Sequence, residues 1–239
     1  MIYPPLTIML LTYAGSIKSP RSLYARRALT AVLEKLTYSG PLYVHIADDG
    51  SHQQHINALI KIVESFGDKV TGRTHTNAAR SGYGASYNQA TQVVHNYGGV
   101  VLPLEDDWEL AYPLQVDAYI EALMSDPPII GCIRLGYLGF TQELRGSLGH
   151  IAGRSYLVFD PASPERHVAA GHPRLETVEW ERGVGPWPER IDPGTTEHVW
   201  CGYEASRHGV AWPMDTPGNW FHHIGTVQAR QDQQEAVAV

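Results

Sequence analysis

The chain has 239 residues, a length that favours one large domain with an elaborated second half. Hydrophobic residues make up 43% and charged residues 18% of the sequence, values that exclude a disordered or collagen-like chain. Its 25 acidic and 18 basic residues give a net charge of −7, which weighs mildly against a protein whose main task is to bind nucleic-acid phosphates.

Two cysteines, Cys132 and Cys201, are too few for a disulfide framework, and we expect both to be thiols in a reducing compartment. The apolar run from Leu6 to Leu11 has no basic residue before it and is too short for a signal peptide or a membrane span. No later stretch approaches about 18 uninterrupted apolar residues. We therefore expect a soluble, cytoplasmic protein with no membrane partner.

Composition changes along the chain. Only 4 of the 16 prolines lie in residues 1–100, whereas all 6 tryptophans lie at Trp108 or later. We therefore expect a regular first half and an irregular, aromatic-rich second half. The polar residues 230–239 are expected to form a flexible tail.

The first half alternates short apolar runs with segments of helical periodicity. In chain order, the pattern predicts a strand at Leu6–Thr12, a helix at Ser22–Leu36, a strand at Pro41–Ala47, a helix at Ile56–Val63, a strand at Lys69–His75, a helix at Ala85–His95 and a strand at Gly99–Leu104. Such alternation implies right-handed crossovers and a mainly parallel sheet flanked by helices. Ligands of open sheets of this kind bind outside the carboxyl ends of the strands.

Two acidic clusters follow predicted strands, Asp48-Asp49 and Glu105-Asp106-Asp107. Neighbouring carboxylates repel one another, and a divalent cation is one reason to bring them together. Extended backbone would point residues 105 and 107 one way and residue 106 the other, so that each meets a different group. Magnesium and manganese take few protein oxygens and complete their shell with phosphate and water. The alternative is a solvated acidic turn.

Three motifs occur in a characteristic order: Asp48-Asp49-Gly50-Ser51, then Arg80-Ser-Gly-Tyr-Gly-Ala-Ser-Tyr-Asn88 at the start of a helix, then Leu104-Glu-Asp-Asp-Trp108. This order resembles the nucleotide-sugar-binding half of the GT-A glycosyltransferases, family 2 in particular. The resemblance covers residues 6–110 and continues more loosely to about residue 225.

The resemblance implies an α/β fold of the GT-A (Rossmann-like) type, with a mainly parallel sheet flanked by helices. It implies one domain over residues 1–229, with a nucleotide-sugar half at about 1–110 and an aromatic-rich acceptor half at about 111–229. Thr12 and Tyr13 would border the nucleotide base. Asp48 or Asp49 would hydrogen-bond the edge of that base.

The same resemblance assigns the donor-sugar side of the site. Gly82, Gly84 and Asn88 match the glycine-containing helix opening of the family, where a missing side chain lets backbone approach the donor. Arg80 would neutralise diphosphate charge, unless it is simply solvated. Tyr87 departs from the family, which often has a basic residue there.

In the acidic triad, the resemblance implies that Glu105 faces the transferred sugar, Asp106 the ribose and Asp107 the metal. His222-His223 resembles the late histidine of many GT-A enzymes, which joins the acidic motif at the metal. We favour His223 over His222 as that ligand. Either histidine is equally compatible with an ordinary surface or packing role.

The segment from Trp200 to Gly209 resembles the family region in which an aromatic residue and a glycine precede a Glu-Asp pair. Ala205 replaces the second acid here, so the resemblance implies that Glu204 is the catalytic base. A helix salt bridge to Arg207 is the structural alternative for Glu204. Three other late acids compete for the role of base: Asp192, Glu197 and Asp215.

These assignments imply a metal-dependent transferase, with Mn2+ or Mg2+, that moves one sugar from a nucleotide-sugar, UDP-sugar by preference, to an acceptor hydroxyl. We expect an inverting reaction, in which a carboxylate acts as the general base that removes the proton of the attacking hydroxyl; in a retaining enzyme Glu204 would orient the acceptor instead. The acceptor stays open between a protein, a glycan, a lipid head group and a modified nucleic acid. Five tryptophans fit either a sugar-stacking cleft or the core: Trp180, Trp187, Trp200, Trp212 and Trp220.

Two other classes of function stay open. A metal-dependent nucleotidyltransferase would share the acids at the sheet edge, but the first predicted strand is not followed by a basic, glycine-rich loop, since Gly15 stands alone. A noncatalytic protein that binds a nucleotide-sugar or carbohydrate would keep the pocket and lose the base, which is compatible with Ala205.

Overall fold

The computed structural model describes residues 3–77, 80–126, 128–137, 145–160, 171–204, 209–215 and 217–225, with the side chains of residues 77 and 202–204 excepted. The strands are β1 (Leu6–Thr12), β2 (Leu36–Thr37), β3 (Leu42–Asp48), β4 (Gly72–Asn77), β5 (Val100–Glu105), β6 (Trp108–Leu110), β7 (Leu114–Gln115), β8 (Cys132–Arg134), β9 (Gly146–Ile151), β10 (Arg154–Phe159), β11 (Arg174–Thr177), β12 (Val210–Pro213) and β13 (Phe221–His223). The helices are α1 (Pro20–Lys35), α2 (Gln53–Ser65), α3 (Tyr83–Val94), α4 (Asp117–Leu123), α5 (Val178–Val184) and α6 (Pro193–Glu204). The tail at 230–239 lies outside the described residues.

One large sheet organises the described part of the chain, with the strand order β4-β3-β1-β5-β11-β8-β12-β10-β9. The first four strands are mutually parallel. β10 and β11 are antiparallel to their neighbours, so these two strands run in the opposite direction to the other seven. The prediction of a mainly parallel α/β sheet flanked by helices is therefore confirmed.

Strand β1 lies between β3 and β5 in this sheet and is buried on both faces. Leu6, Ile8 and Leu10 belong to one hydrophobic cluster, whereas Met9 and Leu11 belong to the other. The first cluster contains buried side chains of α1, α2 and α4, and the second contains buried side chains of α3, α5 and α6. This division follows the alternation of side chains along a strand and produces helical layers on both faces.

The aromatic residues of the second half serve mainly to fill the core. Trp187, Trp200 and Trp220 are buried, and the rings of Trp187 and Trp200 stack with centroids 4.4 Å apart. Trp180 and Trp212 are only partly buried. Trp187 and Trp200 pack in the cluster that contains α6, whereas Trp220 belongs to the first cluster.

Cys132 and Cys201 are both buried thiols that take part in no disulfide. Among the described helices, none combines the length and apolar character that crossing a bilayer requires.

Candidate active site

The carboxyl ends of β1, β3 and β5 meet at one edge of the sheet. The strand register pairs Thr12 with Asp48 and Leu11 with Glu105. Both acidic clusters therefore lie at the same edge, where open α/β sheets bind ligands.

Asp106 is the most enclosed member of the acidic triad, with 3% of its surface exposed. Thr12 donates its hydroxyl to Asp106 Oδ2 over 3.0 Å, and the backbone N–H of Tyr13 donates to the same oxygen over 3.3 Å. Arg21 Nη1 lies 3.2 Å from Asp106 Oδ1. Burial raises the pKa of Asp106 to about 7, although the charge of Arg21 lowers it.

β5 ends at Glu105, and Asp106 and Asp107 form a turn. The extended backbone predicted for residues 105–107 therefore ends at Glu105. Asp107 has a different partner from Asp106. Asp107 Oδ2 lies 3.1 Å from His223 Nε2. Asp107 Oδ1 is buried and has no hydrogen-bond partner among the described residues.

The ladder between β6 and β13 brings the late histidine to this acid. It pairs His223 with Trp108, directly after the triad, and the backbone N–H of Ile224 donates to the carbonyl of Asp107 over 2.8 Å. His222 faces the other way and contacts the ring of Tyr112. The structure therefore brings His223, and not His222, to the acidic triad.

Gly225 makes room for this arrangement. A Cβ atom at this position would lie 2.3 Å from Asp107 Oδ2, closer than real contacts allow. The backbone after β13 therefore approaches the carboxylate in a way that requires glycine.

Asp107 and His223 suit a divalent cation. An oxygen and an imidazole nitrogen are ligands that Mn2+ accepts, and the unpartnered Oδ1 of Asp107 is a free acceptor. In the described part of the chain, no group of three acidic, histidine or cysteine side chains is arranged to hold a metal. The pair therefore fits a cation that completes its shell with phosphate oxygens of a ligand.

Glu105 and Glu197 form the other side of the site. Tyr83 donates its hydroxyl to Glu105 Oε1 over 2.7 Å. Burial and then the charges of Glu197 and Asp107 raise the pKa of Glu105 well above its ordinary value. Burial raises the pKa of Glu197 to about 7, although the charge of Arg174 lowers it; the charge of Asp107 also acts to raise it. Three carboxyl groups from β5, the following turn and α6 thus share one electrostatic environment.

The two remaining rivals of Glu204 have structural partners. Asp192 Oδ1 accepts a hydrogen bond of 3.0 Å from the backbone of Thr195 at the start of α6, and such bonds lower its pKa. Asp215 accepts a hydrogen bond of 2.9 Å from Tyr119 and forms an ion pair with Arg154. Both acids are therefore engaged within the protein.

Glu204 ends α6, but its side chain, like Ala205 and Arg207, lies outside the described residues. Its position is seven residues after Glu197, which is two turns or about 10.5 Å further along the helix. The role of Glu204 stays a prediction.

The carboxylates of Asp48 and Asp49 accept hydrogen bonds from backbone N–H groups. The carboxylate of Asp48 is buried and accepts the N–H of Ser51 at 3.0 and 3.1 Å. Asp49 Oδ1 accepts the N–H groups of Ser81 at 2.7 Å and of Gly82 at 3.1 Å. These contacts tie the loop after β3 to the residues that open α3. Direct contact with a base stays a prediction for both acids.

The opening of α3 is shaped by two different glycines. Gly82 has φ +90° with open space around its Cα, a conformation that L side chains rarely adopt. A Cβ on Gly84 would lie 1.9 Å from the carbonyl oxygen of Pro188, so this glycine permits close packing of α3 on that segment. Close approach of a donor to the backbone of Gly84 stays a prediction. Just before the helix, the guanidinium of Arg80 lies 4.3 Å from the ring centroid of Tyr13.

Asn88 also serves the packing of this segment. Its Nδ2 donates to the carbonyl of Trp187 over 2.9 Å, and its Oδ1 accepts the N–H of the same residue over 2.9 Å. A second bond from Nδ2, 2.8 Å long, reaches Glu189. The side chain is thus fully used inside the protein, and contact with a nucleotide-sugar stays a prediction.

Arg174, a buried basic residue near the site, is not identified from the sequence. Arg174 Nη2 donates to the hydroxyl of Tyr87 over 2.7 Å, and its Nε donates to Glu176 over 2.7 Å. Arg174 thereby supplies a positive charge beside Tyr87. The pattern Arg174-Leu-Glu176, with two charges on one face of a strand, is the signal that would have revealed it.

Comparisons with known proteins bear on the fold. No protein-family model matches the chain, and no curated protein matches it in sequence. The solved structure of S. aureus TarS 1-349 matches with a TM-score of 0.63 and 12% identity, over 91% of this chain and 59% of that one. Its complex with UDP matches with a TM-score of 0.64 over the same shares. This chain thus spans about three fifths of the length of those structures.

Two further solved structures match with lower scores. A mannosyltransferase from Pyrobaculum calidifontis in complex with GDP-Man and Mn2+ has a TM-score of 0.51 and 16% identity, over 81% of this chain and 51% of that one. GalNAc-T7 with UDP, GalNAc and Mn2+ has a TM-score of 0.54 and 13% identity, over 87% of this chain and 42% of that one. Likeness at these identities establishes the architecture. The chain has the GT-A fold of glycosyltransferases.

Proposed function

We propose that the protein is a metal-dependent glycosyltransferase that takes a sugar from a nucleotide-sugar, with UDP-sugar as the preferred donor. The observation that carries this proposal is the pairing of Asp107 with His223 beside the buried carboxyl of Asp106, all at the carboxyl edge of the sheet. Structures of the same fold hold UDP, or GDP-Man with Mn2+, which supports a nucleotide-sugar as the ligand class.

Asp107 and His223 would hold Mn2+ or Mg2+ together with the donor diphosphate. When bound, the cation supplies positive charge that stabilises the leaving diphosphate. Asp106 would accept a hydrogen bond from a ribose hydroxyl. Thr12 and Tyr13 would border the base. Arg80, whose guanidinium lies 4.3 Å from the ring centroid of Tyr13, would neutralise diphosphate charge.

For the catalytic base we propose Glu197, with Glu204 retained as the alternative. Glu197 lies in the first turns of α6, and its carboxyl group shares the electrostatic environment of Glu105 and Asp107. Removal of the acceptor proton by this carboxylate, as the acceptor oxygen attacks the anomeric carbon from the opposite face, would give an inverting reaction. In a retaining reaction Glu197 would only orient the acceptor.

The test is incubation with a panel of UDP- and GDP-sugars, with Mn2+ or with EDTA, followed by analysis of the released products. The proposal predicts slow, metal-dependent release of the nucleoside diphosphate. Release of pyrophosphate would instead identify a nucleotidyltransferase, and tight binding without turnover would identify a noncatalytic binding protein. The anomeric configuration of the product, read by NMR, distinguishes inversion from retention.

A further inference from the structure

A chain of buried polar side chains leads away from Asp106 into the protein. His55 Nε2 lies 2.9 Å from the Thr12 hydroxyl that donates to Asp106, and His55 Nδ1 lies 3.0 Å from the hydroxyl of Ser22. His55 and Ser22 are fully buried, and Thr12 is 6% exposed. The chain links the first turn of α1, the start of α2 and the ends of β1 and β5.

The protons of this chain have one consistent arrangement when Asp106 is ionised. The single hydroxyl proton of Thr12 is donated to the carboxylate, so Thr12 must accept a proton from His55 Nε2. Burial and the nearby charge of Arg26 lower the pKa of His55 to about 4, which keeps the ring neutral at pH 7. A neutral ring that donates at Nε2 accepts at Nδ1, and the hydroxyl of Ser22 supplies that proton.

Such a chain is unusual in the core that surrounds it. Ala25, Leu29, Ile56 and Leu59, neighbours on α1 and α2, are apolar and fully buried. Apolar side chains would fill this space without the desolvation cost of three polar groups. This series of hydrogen bonds ends at the carboxyl group of Asp106, at the edge of the sheet where ligands are expected. Asp106 is therefore the group that it orients.

We propose that His55 is a positioning residue for nucleotide binding: it holds the hydroxyl of Thr12 toward Asp106 and so fixes the carboxylate that receives a ribose hydroxyl. This inference rests on the proposed function, because it takes the nucleotide ribose as the group that Asp106 contacts. His55 itself touches no ligand. Its contribution is the direction of one hydrogen bond.

The inference predicts a loss of ribose discrimination when His55 is replaced. The affinities of UDP, 2′-deoxy-UDP and 3′-deoxy-UDP are compared by calorimetry in Mn2+. The wild type should bind UDP about 10-fold or more tightly than the analogue that lacks the hydroxyl held by Asp106, the effect expected for a hydrogen bond to a charged group. In His55→Met this ratio should fall below about 3-fold, because the Thr12 hydroxyl is no longer held toward the carboxylate of Asp106.

Two variants separate positioning from a general loss of stability. His55→Gln keeps an N–H donor near the place of Nε2 and should recover most of the ratio. Leu59→Ala removes a buried side chain one turn further along α2 and should lower the melting temperature with the ratio unchanged. Ser22→Ala, which removes the far donor by deleting one oxygen, should lower the ratio even if His55→Met does not fold.

The possible failures are distinguishable. A wild type that binds none of the three nucleotides would overturn the proposed function and this inference with it. A wild type that binds UDP and both analogues equally would show that Asp106 does not hold the ribose, and would overturn the inference alone. An undiminished ratio in a folded His55→Met, or in Ser22→Ala, would also overturn it.

Discussion

Asp107 Oδ2 lies 3.1 Å from His223 Nε2, a contact that joins the turn after β5 to the last strand described, β13. The first and second halves of the chain therefore meet at the triad. Because β13 pairs with β6, which directly follows the triad, the position of the histidine is set by a strand ladder and not by a loop. Side chains on regular elements are held more precisely, which suits metal ligands.

We expect Gly225→Ala to disturb this contact more than the fold. Its new Cβ would lie 2.3 Å from Asp107 Oδ2, so the carboxylate or the backbone must shift. Mn2+ should then no longer strengthen UDP binding, whereas the melting temperature should change little. Gly149→Ala is the matched control, because its Cβ would make only ordinary contacts, at 3.5 Å or more. Equal Mn2+ effects in both variants would mean that Asp107 is not the cation ligand.

The proposed base is tested by a pair of isosteric variants on one helix. Glu197→Gln keeps the size of the side chain but cannot accept a proton, and should lower the rate of sugar transfer by roughly 100-fold or more. UDP affinity should persist, since the base acts on the acceptor. Glu204→Gln, two turns further along α6, should transfer sugar at close to the wild-type rate. The opposite ranking would assign the role of base to Glu204.

Asp49 is predicted to act on the nucleotide through the loop that it holds. Asp49→Ala removes the acceptor of the Ser81 and Gly82 N–H groups, and should weaken UDP binding by about 1–3 kcal/mol as the loop loses its anchor. Asp68→Ala, an exposed acid before β4, is the control for the loss of charge. Calorimetric affinities that are alike in Asp49→Ala and the wild type would remove Asp49 from the site.

His45 should make folding stability depend on pH. Burial and the charge of His75 lower the pKa of His45 to about 4, so between about pH 4 and 6.5 the unfolded chain binds a proton that the folded protein does not. Its contribution to the free energy of unfolding therefore decreases as pH falls through this window, by up to about 1.4 kcal/mol per pH unit.

Urea unfolding at several pH values measures this dependence. His45→Gln should reduce the slope of the unfolding free energy against pH over the window, whereas His150→Gln, at an exposed position, should not. An unchanged slope in His45→Gln would mean that His45 titrates alike in both states.

The sequence predicted the first half of the fold because its strands are long and apolar. The apolar run predicts β1 with its observed bounds, Leu6–Thr12. The predicted strand at Lys69–His75 begins later, at Gly72, because Gly67–Lys69 form a short 3-10 helix. The strands that extend the sheet beyond β5 include β8 and β11, which have three and four residues and are too short to show a period.

The grouping of the two acidic clusters is predictable from the sequence, because the carboxyl ends of parallel strands meet at one edge of the sheet. Glu197 and Arg174 did not stand out, since their place beside the triad depends on how α6 and β11 pack against the first half. The packing roles of Asn88 and Gly84 were hidden for the same reason: their partners are backbone atoms of Trp187 and Pro188.

The measurement that tests the central claim most directly is calorimetric titration of UDP in Mn2+ and in EDTA, with the wild type, His223→Ala and His222→Ala. We predict that Mn2+ tightens UDP binding to the wild type and to His222→Ala by about 10-fold or more, and that this gain is lost in His223→Ala. Binding of UDP that is equally tight in EDTA, or a Mn2+ effect that survives in His223→Ala, would contradict a cation held by Asp107 and His223.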